Sequence, residues 1–209
     1  MIKMKNSIKK IIKKSVLFKI FRPVFVLGWK VCGRKIPPPH FVKQQAVVDY
    51  ANRFGINVFV ETGTYYGDMI DAVKNRFKKI YSIELDDHLF NLAQKKYAGL
   101  KHIKIINGDS AEKIKDVLAN ISEPCLFWLD GHYSGPGTAK GSLDTPLLKE
   151  LSLILDHQIK NHVILVDDAR EFGTGDYPAI DDLKKMVANY PEYSFEIKGD
   201  SARIYNKNI

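Results

Sequence analysis

Val58-Phe59-Val60-Glu61-Thr62-Gly63-Thr64-Tyr65-Tyr66-Gly67-Asp68 decides how this chain folds. A short β-branched and aromatic run stops at a carboxylate, and two glycines follow. That order reads as a buried strand entering a tight turn. From Asp68 the apolar residues take helical spacing, at Met69, Ile70, Val73 and Phe77. Strand, glycine turn and helix in succession open a unit in which helices cover a parallel sheet.

The unit recurs outward from this stretch. Residues 79–83 form a second strand closed by Glu84, and 87–97 a helix that Asp86 or Asp87 can cap. Residues 102–106 form a third strand ending at Asn107-Gly108-Asp109, with a helix over 111–119. Cys125-Leu126-Phe127-Trp128-Leu129 ends at Asp130, and residues 146–157 read as a helix with Thr145 as N-cap and Pro146 in its first turn. Residues 163–166 end at Asp167-Asp168, and 180–189 are helical. Two last strands, 193–197 and 202–205, flank Lys198-Gly199-Asp200-Ser201 as a closing hairpin. The first five strands are apolar throughout, as strands covered on both faces are. The expected fold is α/β, a Rossmann-like doubly wound sheet of seven mostly parallel strands with an antiparallel C-terminal hairpin.

The 209 residues suffice for one domain with a short appendage, and 45% apolar residues exclude a disordered chain. Cys32 and Cys125 are far apart in apolar company, which excludes a disulfide scaffold and a cysteine zinc site. That usage fits a reducing compartment, so a cytoplasmic protein is expected. The net charge of +8 is unevenly placed: residues 1–35 hold eleven Lys or Arg and no acid, leaving 21 basic and 24 acidic residues in 36–209. A nucleic-acid binder would spread basic charge over its folded surface, so no nucleic-acid partner is expected.

The arm also carries Ile8, Ile11, Ile12, Val16 and Ile20 at helical spacing. A basic amphipathic helix can lie on a membrane, dock a partner or pack on its own domain; a peripheral place at the inner face of the membrane is one of these. Lys19 and Arg22 interrupt the apolar stretch, which argues against a signal peptide. Ile36-Pro37-Pro38-Pro39-His40 is stiff and separates an arm over 1–40 from a domain over 41–209. Homo-oligomerisation is compatible with the sequence and not encoded in any motif.

Every strand of the first five ends at a carboxylate or at a glycine turn, and in a doubly wound sheet ligands bind beyond the carboxyl ends of the strands. Glu61, Glu84, Asp109, Asp130, Asp167 and Asp168 then share a rim, and their repulsion calls for a cationic ligand, hydroxyl donors or a metal. Gly63 permits close backbone approach, and Gly67 lets a helix begin near the sheet, as a ligand loop or a plain βα turn would need. Glu84 can accept both hydroxyls of a ribose, or can cap a helix. Asp109 can face an exocyclic amine, or can cap the next helix with Ser110 beside it.

Together, Glu-x-Gly-Thr-x-x-Gly, the acid closing the second strand and Gly-Asp after the third resemble the class I S-adenosylmethionine-dependent methyltransferases, over residues 55–205. The resemblance implies a cofactor site of Glu61, Gly63, Thr64, Tyr65, Gly67, Glu84, Asp109, Ser110 and Asp130. Asp130, Asp167 and Asp168 are similar to the metal ligands of metal-dependent O-methyltransferases, with the acid at Asp168 nearer the macrocin-type enzymes that act on sugars. Three such oxygens suit Mg²⁺; alternatively Asp167 turns the strand end and Asp168 pairs with Arg170. The implied catalytic residues are Asp130 and His132, the latter as a base that titrates near neutral pH. His102, His157 and His162 read as structural. The glycine-rich 133–142 segment reads as a substrate lid or a plain connector.

The expected activity is therefore O-methyl transfer to a hydroxyl of a sugar or glycan, assisted by a divalent metal. The alternative is a non-catalytic module of the same fold docked through the arm. A nicotinamide oxidoreductase is disfavoured, because the middle glycine of the dinucleotide fingerprint is Thr64.

Overall fold

The structure is a computed structural model; it describes residues 16–34, 36–131 and 146–208. His132, the glycine-rich 133–142 segment, Thr145 and residues 1–15 of the arm lie outside the described residues.

Two helices precede the sheet, α1 (Val16–Val31) and α2 (His40–Arg53). Then follow β1 (Val58–Thr62), α3 (Asp68–Val73), β2 (Lys79–Glu84), α4 (Asp87–Tyr97), β3 (Ile103–Asn107), α5 (Ser110–Leu118) and β4 (Cys125–Leu129). The chain continues through α6 (Leu147–Asp156), β5 (Val163–Val166), α7 (Ile180–Ala188), β6 (Tyr193–Lys198) and β7 (Ser201–Asn206). The seven strands lie in the order β3-β2-β1-β4-β5-β7-β6. β1 to β5 run parallel, and β7 is antiparallel to both β5 and β6. This is the doubly wound sheet with a C-terminal hairpin that the sequence predicts.

Alternate strand residues serve opposite cores, because successive side chains point to opposite faces. Phe127 and Leu129 join Val60, Ile83, Leu151 and Ile154 on one face. Leu126 and Trp128 join Phe59, Ile80 and Val47 on the other. Both sets are almost wholly shielded from water, which is why β4 contains no polar residue.

Helix α3 is shorter than its apolar spacing predicts, ending at Val73. Arg76 N–H closes a tighter turn onto the Val73 carbonyl, and the Arg76 side chain ties to Asn52 and to the Ala51 carbonyl. Phe77 still enters the core, stacked on Phe59 at 5.1 Å. His162 is structural, as predicted: burial pushes its pKa down to about 3. The neutral ring accepts the Cys125 N–H at 3.0 Å.

Candidate functional site

The strand order reverses between β1 and β4, and the loops after these strands meet there. In such a sheet this is where a ligand crevice forms. Gly63 has φ +82° and a Cβ on it would lie 2.6 Å from the Asp130 carbonyl oxygen. Only glycine lets the β1 loop approach the β4 loop this closely. Gly67 has φ +73°, and a Cβ there would run into the Tyr97 hydroxyl. That hydroxyl donates to the Gly67 carbonyl at 2.8 Å and so fastens the loop to α4.

The acids divide into two groups. At the ends of β1 and β2, Glu61 and Glu84 lie on either side of the glycine loop. Glu61 is buried; Ser82 Oγ donates to its Oε1 at 2.7 Å, and Thr64 Oγ1 lies 2.5 Å from Ser82 Oγ. Burial pushes the Glu61 carboxyl up to about 8; the Ser82 bond opposes this and nearby Glu84 adds to it. Glu84 accepts the Tyr65 N–H at 2.7 Å and the Asp86 N–H at 2.9 Å. Burial raises its pKa, and those backbone donors restrain the rise. A carboxylate has about four lone-pair sites, so two backbone bonds leave capacity for hydroxyl donors. Tyr65 adopts φ +49° to aim its N–H at Glu84, a conformation uncommon outside glycine.

At the ends of β4 and β5, Asp130, Asp167 and Asp168 each offer an oxygen within 4.8 Å of the others. Burial, and then the charges of Asp167 and Asp168, push Asp130 well above the usual carboxylate range. Burial also raises Asp167, to about 6, although Lys43 pulls the other way. Asp168 sits at φ +53°, a conformation uncommon outside glycine.

Two cations reach this group; the sequence analysis weighed Arg170 as a partner of Asp168 and missed Lys43. Lys43 Nζ, from α2, donates to Asp167 Oδ2 at 2.6 Å and to Asp168 Oδ1 at 2.9 Å. Burial disfavours its ammonium, yet the two aspartates together hold its pKa above the ordinary value. Arg170 Nη1 donates to Asp168 Oδ1 at 2.6 Å and also to Asp200 Oδ2. The Asp168–Arg170 pair weighed in the sequence thus forms, within the same cluster.

Three convergent carboxylate oxygens are a donor set that suits a hard divalent cation. The residues fit such an ion on the condition that Lys43 yields its place on Asp167 and Asp168. Beside the cluster, a small pocket is lined by Leu129, Asp130, Gly131, Glu150, Asp167 and Tyr177. Glu150 is buried, which pushes its carboxyl up to about 7 against the nearby Ser110 and Thr62 hydroxyls. Its place on α6 gave it no motif to be read from.

Asp109 lies between β3 and α5. Its Oδ1 accepts the Ala111 N–H at 2.9 Å and caps α5, the reading weighed against adenine contact. Ser110 is buried next to Gly131, its Oγ 3.4 Å from where a Cβ on Gly131 would lie.

No family model matches the chain. The ribosomal RNA small subunit methyltransferase A of Caldanaerobacter subterraneus subsp. tengcongensis is 25% identical over 121 residues, 54% of this chain and 44% of that protein. The chain therefore matches less than half the length of that curated relative. An O-methyltransferase from Bacillus cereus solved with SAH superposes with TM-score 0.62 at 13% identity, over 99% of this chain and 100% of that one. The SAH-bound methyltransferase PaMTH1 of Podospora anserina gives 0.55 at 17% identity, over 89% and 88%. The O-methyltransferase TomG of Streptomyces achromogenes, solved with SAM and described as involved in tomaymycin synthesis, gives 0.54 at 13%, over 78% of each. The fold is that of the class I SAM-dependent methyltransferases.

Proposed function

We propose that this chain is a methyltransferase that moves the methyl group of S-adenosylmethionine to a hydroxyl of a sugar or glycan, with a divalent cation at Asp130, Asp167 and Asp168. One observation carries the reading. Two groups of carboxylates flank the crevice of a class I methyltransferase fold: Glu84, held by two backbone N–H groups, and the convergent Asp130, Asp167 and Asp168.

The Glu84 carboxylate would accept the ribose hydroxyls while Tyr65 and Asp86 hold it still. The Gly63–Gly67 loop would seat the methionine part against its backbone N–H groups. Glu61, through Ser82 and Thr64, braces that loop against β1 and β2. A divalent ion, when bound, supplies Lewis acidity that makes an acceptor hydroxyl easier to deprotonate. Asp130, Asp167 and Asp168 would hold it, and the carboxylates would orient the acceptor in line with the methyl carbon. The C–S bond breaks as the O–C bond forms, and the hydroxyl proton passes to a base. His132, two residues past Asp130, remains the proposed base.

The cluster also supports a hydroxyl-bearing acceptor, whose oxygens an ion held there could take as ligands. A cytoplasmic site of action is part of the same proposal.

The test is a reaction with methyl-labelled cofactor over pooled nucleotide-sugars and glycans, read by mass spectrometry. Labelled sugar product that disappears with EDTA is expected, with cofactor binding by calorimetry largely retained. Turnover that survives exhaustive chelation removes the metal; label on RNA alone removes the sugar. Tight cofactor binding without product on any acceptor would make the chain a binding module instead.

A further inference from the structure

We propose that α1 docks the protein on an anionic lipid surface. The helix is covered on one side only. Val26 is buried, and the Phe25 ring meets Phe41 of α2 at 6.1 Å. Trp29 lies against the β6–β7 turn, its ring 3.9 Å from where a Cβ on Gly199 would lie. The opposite side carries Val24, Leu27 and Val31, which are 61%, 61% and 78% exposed. Their spacing of three and four residues sets them in one stripe along the helix. In the sequence Leu17 and Ile20 continue the same spacing toward the N-terminus. Large apolar side chains aligned on an outer helix face mark an interaction surface.

Charge identifies what covers it. Residues 1–35 carry eleven Lys or Arg and no Asp or Glu, while the remainder of the chain is net acidic. Lys30 stands beside the stripe on the same helix, and Arg34 just beyond its end; both are exposed. A second copy of the helix could match the apolar spacing, but two such arms would bring like charge against like. RNA would satisfy the charge and leave Val24, Leu27 and Val31 facing phosphate and water. A membrane of anionic lipid satisfies both, with apolar side chains in the acyl boundary and ammonium groups among the phosphates. Each basic residue near such a surface adds about fivefold to binding. No described helix is long and apolar enough to cross a membrane, so α1 would lie along it.

Docking would also fix where the crevice faces. α1 packs on α2, which delivers Lys43 to the acid cluster, and Trp29 abuts the turn whose Asp200 holds Arg170. The surface that meets lipid is thus tied by two short paths to the β4–β5 site.

The experiment is flotation of the full-length chain with vesicles of phosphatidylcholine alone, or with about one third phosphatidylglycerol. Binding to the anionic vesicles alone is expected, weakening as salt is raised. Leu27→Glu with Val31→Glu should lower vesicle affinity at least about tenfold. Both sites are exposed, so thermal melting and cofactor affinity should stay unchanged, which distinguishes this from failure of the methyl-transfer proposal. Absence of flotation with either vesicle overturns the inference. So does equal flotation of the double variant, a dimer in light scattering that the double variant abolishes, or RNA binding that competes vesicles away and ignores the two substitutions.

Discussion

Replacing Glu61 with Gln separates the charge of this carboxyl from its shape. Burial lifts its pKa from 4.5 to about 8, with Glu84 contributing and Ser82 opposing. Between those values the folded chain keeps a proton that the unfolded chain has released. An acid shifted upward therefore withdraws stability as pH rises from its unfolded toward its folded pKa. The interval of about 3.5 units corresponds to about 5 kcal/mol, at roughly 1.4 kcal/mol per unit. Gln cannot ionise, and its carbonyl still accepts from Ser82. The variant should gain on the wild type by about 1 kcal/mol near pH 5 and by about 4 kcal/mol near pH 8. Glu84, Glu150 and the aspartates titrate in both proteins, so they largely cancel in the comparison. Urea unfolding at several pH values reads the difference directly. A stability gap that stays constant from about pH 5 to about pH 8 would refute the argument, since it would mean that Glu61 ionises alike in both states.

Lys43→Met should cost about 3 kcal/mol, because it removes the ammonium that pairs with both Asp167 and Asp168 in a crowded carboxylate cluster. Added Mn²⁺ should then raise the melting temperature of the variant more than that of the wild type; an equal shift in both would dissociate Lys43 from the ion site. Glu84→Ala should weaken cofactor binding at least about tenfold by calorimetry, by removing the acceptor that also anchors the Tyr65 and Asp86 N–H groups. Gly63→Ala should unfold at much lower denaturant, since it combines a positive φ with a Cβ 2.6 Å from backbone oxygen. If Gly63→Ala melts like the wild type, the close approach of the β1 and β4 loops is not obligatory.

Chemistry that lies within a strand and its turn was legible in the sequence. The apolar runs, the glycines and the acid after each strand are local signals, and topology brings every strand's carboxyl end to one side. That is why Asp130 and Asp167, far apart in the chain, could be placed at one rim before any coordinates. Asp109 shows where local sequence is ambiguous. An aspartate after a strand is also a strong N-cap for the following helix, and here its Oδ1 accepts the Ala111 N–H. Capping and ligand contact leave identical sequence.

Lys43 could not be read, and the reason is physical. It lies 124 residues from Asp167, on a helix that precedes the sheet, and nothing in His40–Arg53 distinguishes it from a solvated lysine. Only the packing of α2 determines which cation reaches the rim. The requirement for one was nonetheless visible: crowded carboxylates need an offsetting charge, and the sequence analysis sought it in a ligand or a metal. The protein supplies part of it from its own chain, through Lys43 and Arg170. A divalent ion must therefore compete with an ammonium already hydrogen-bonded to Asp167 and Asp168. Its apparent affinity in the wild type is the difference between two cation sites rather than the strength of one. Lys43→Met removes one of those competing cations and leaves Arg170 on Asp168, so metal binding to the variant tests the donor set more directly than metal binding to the native chain.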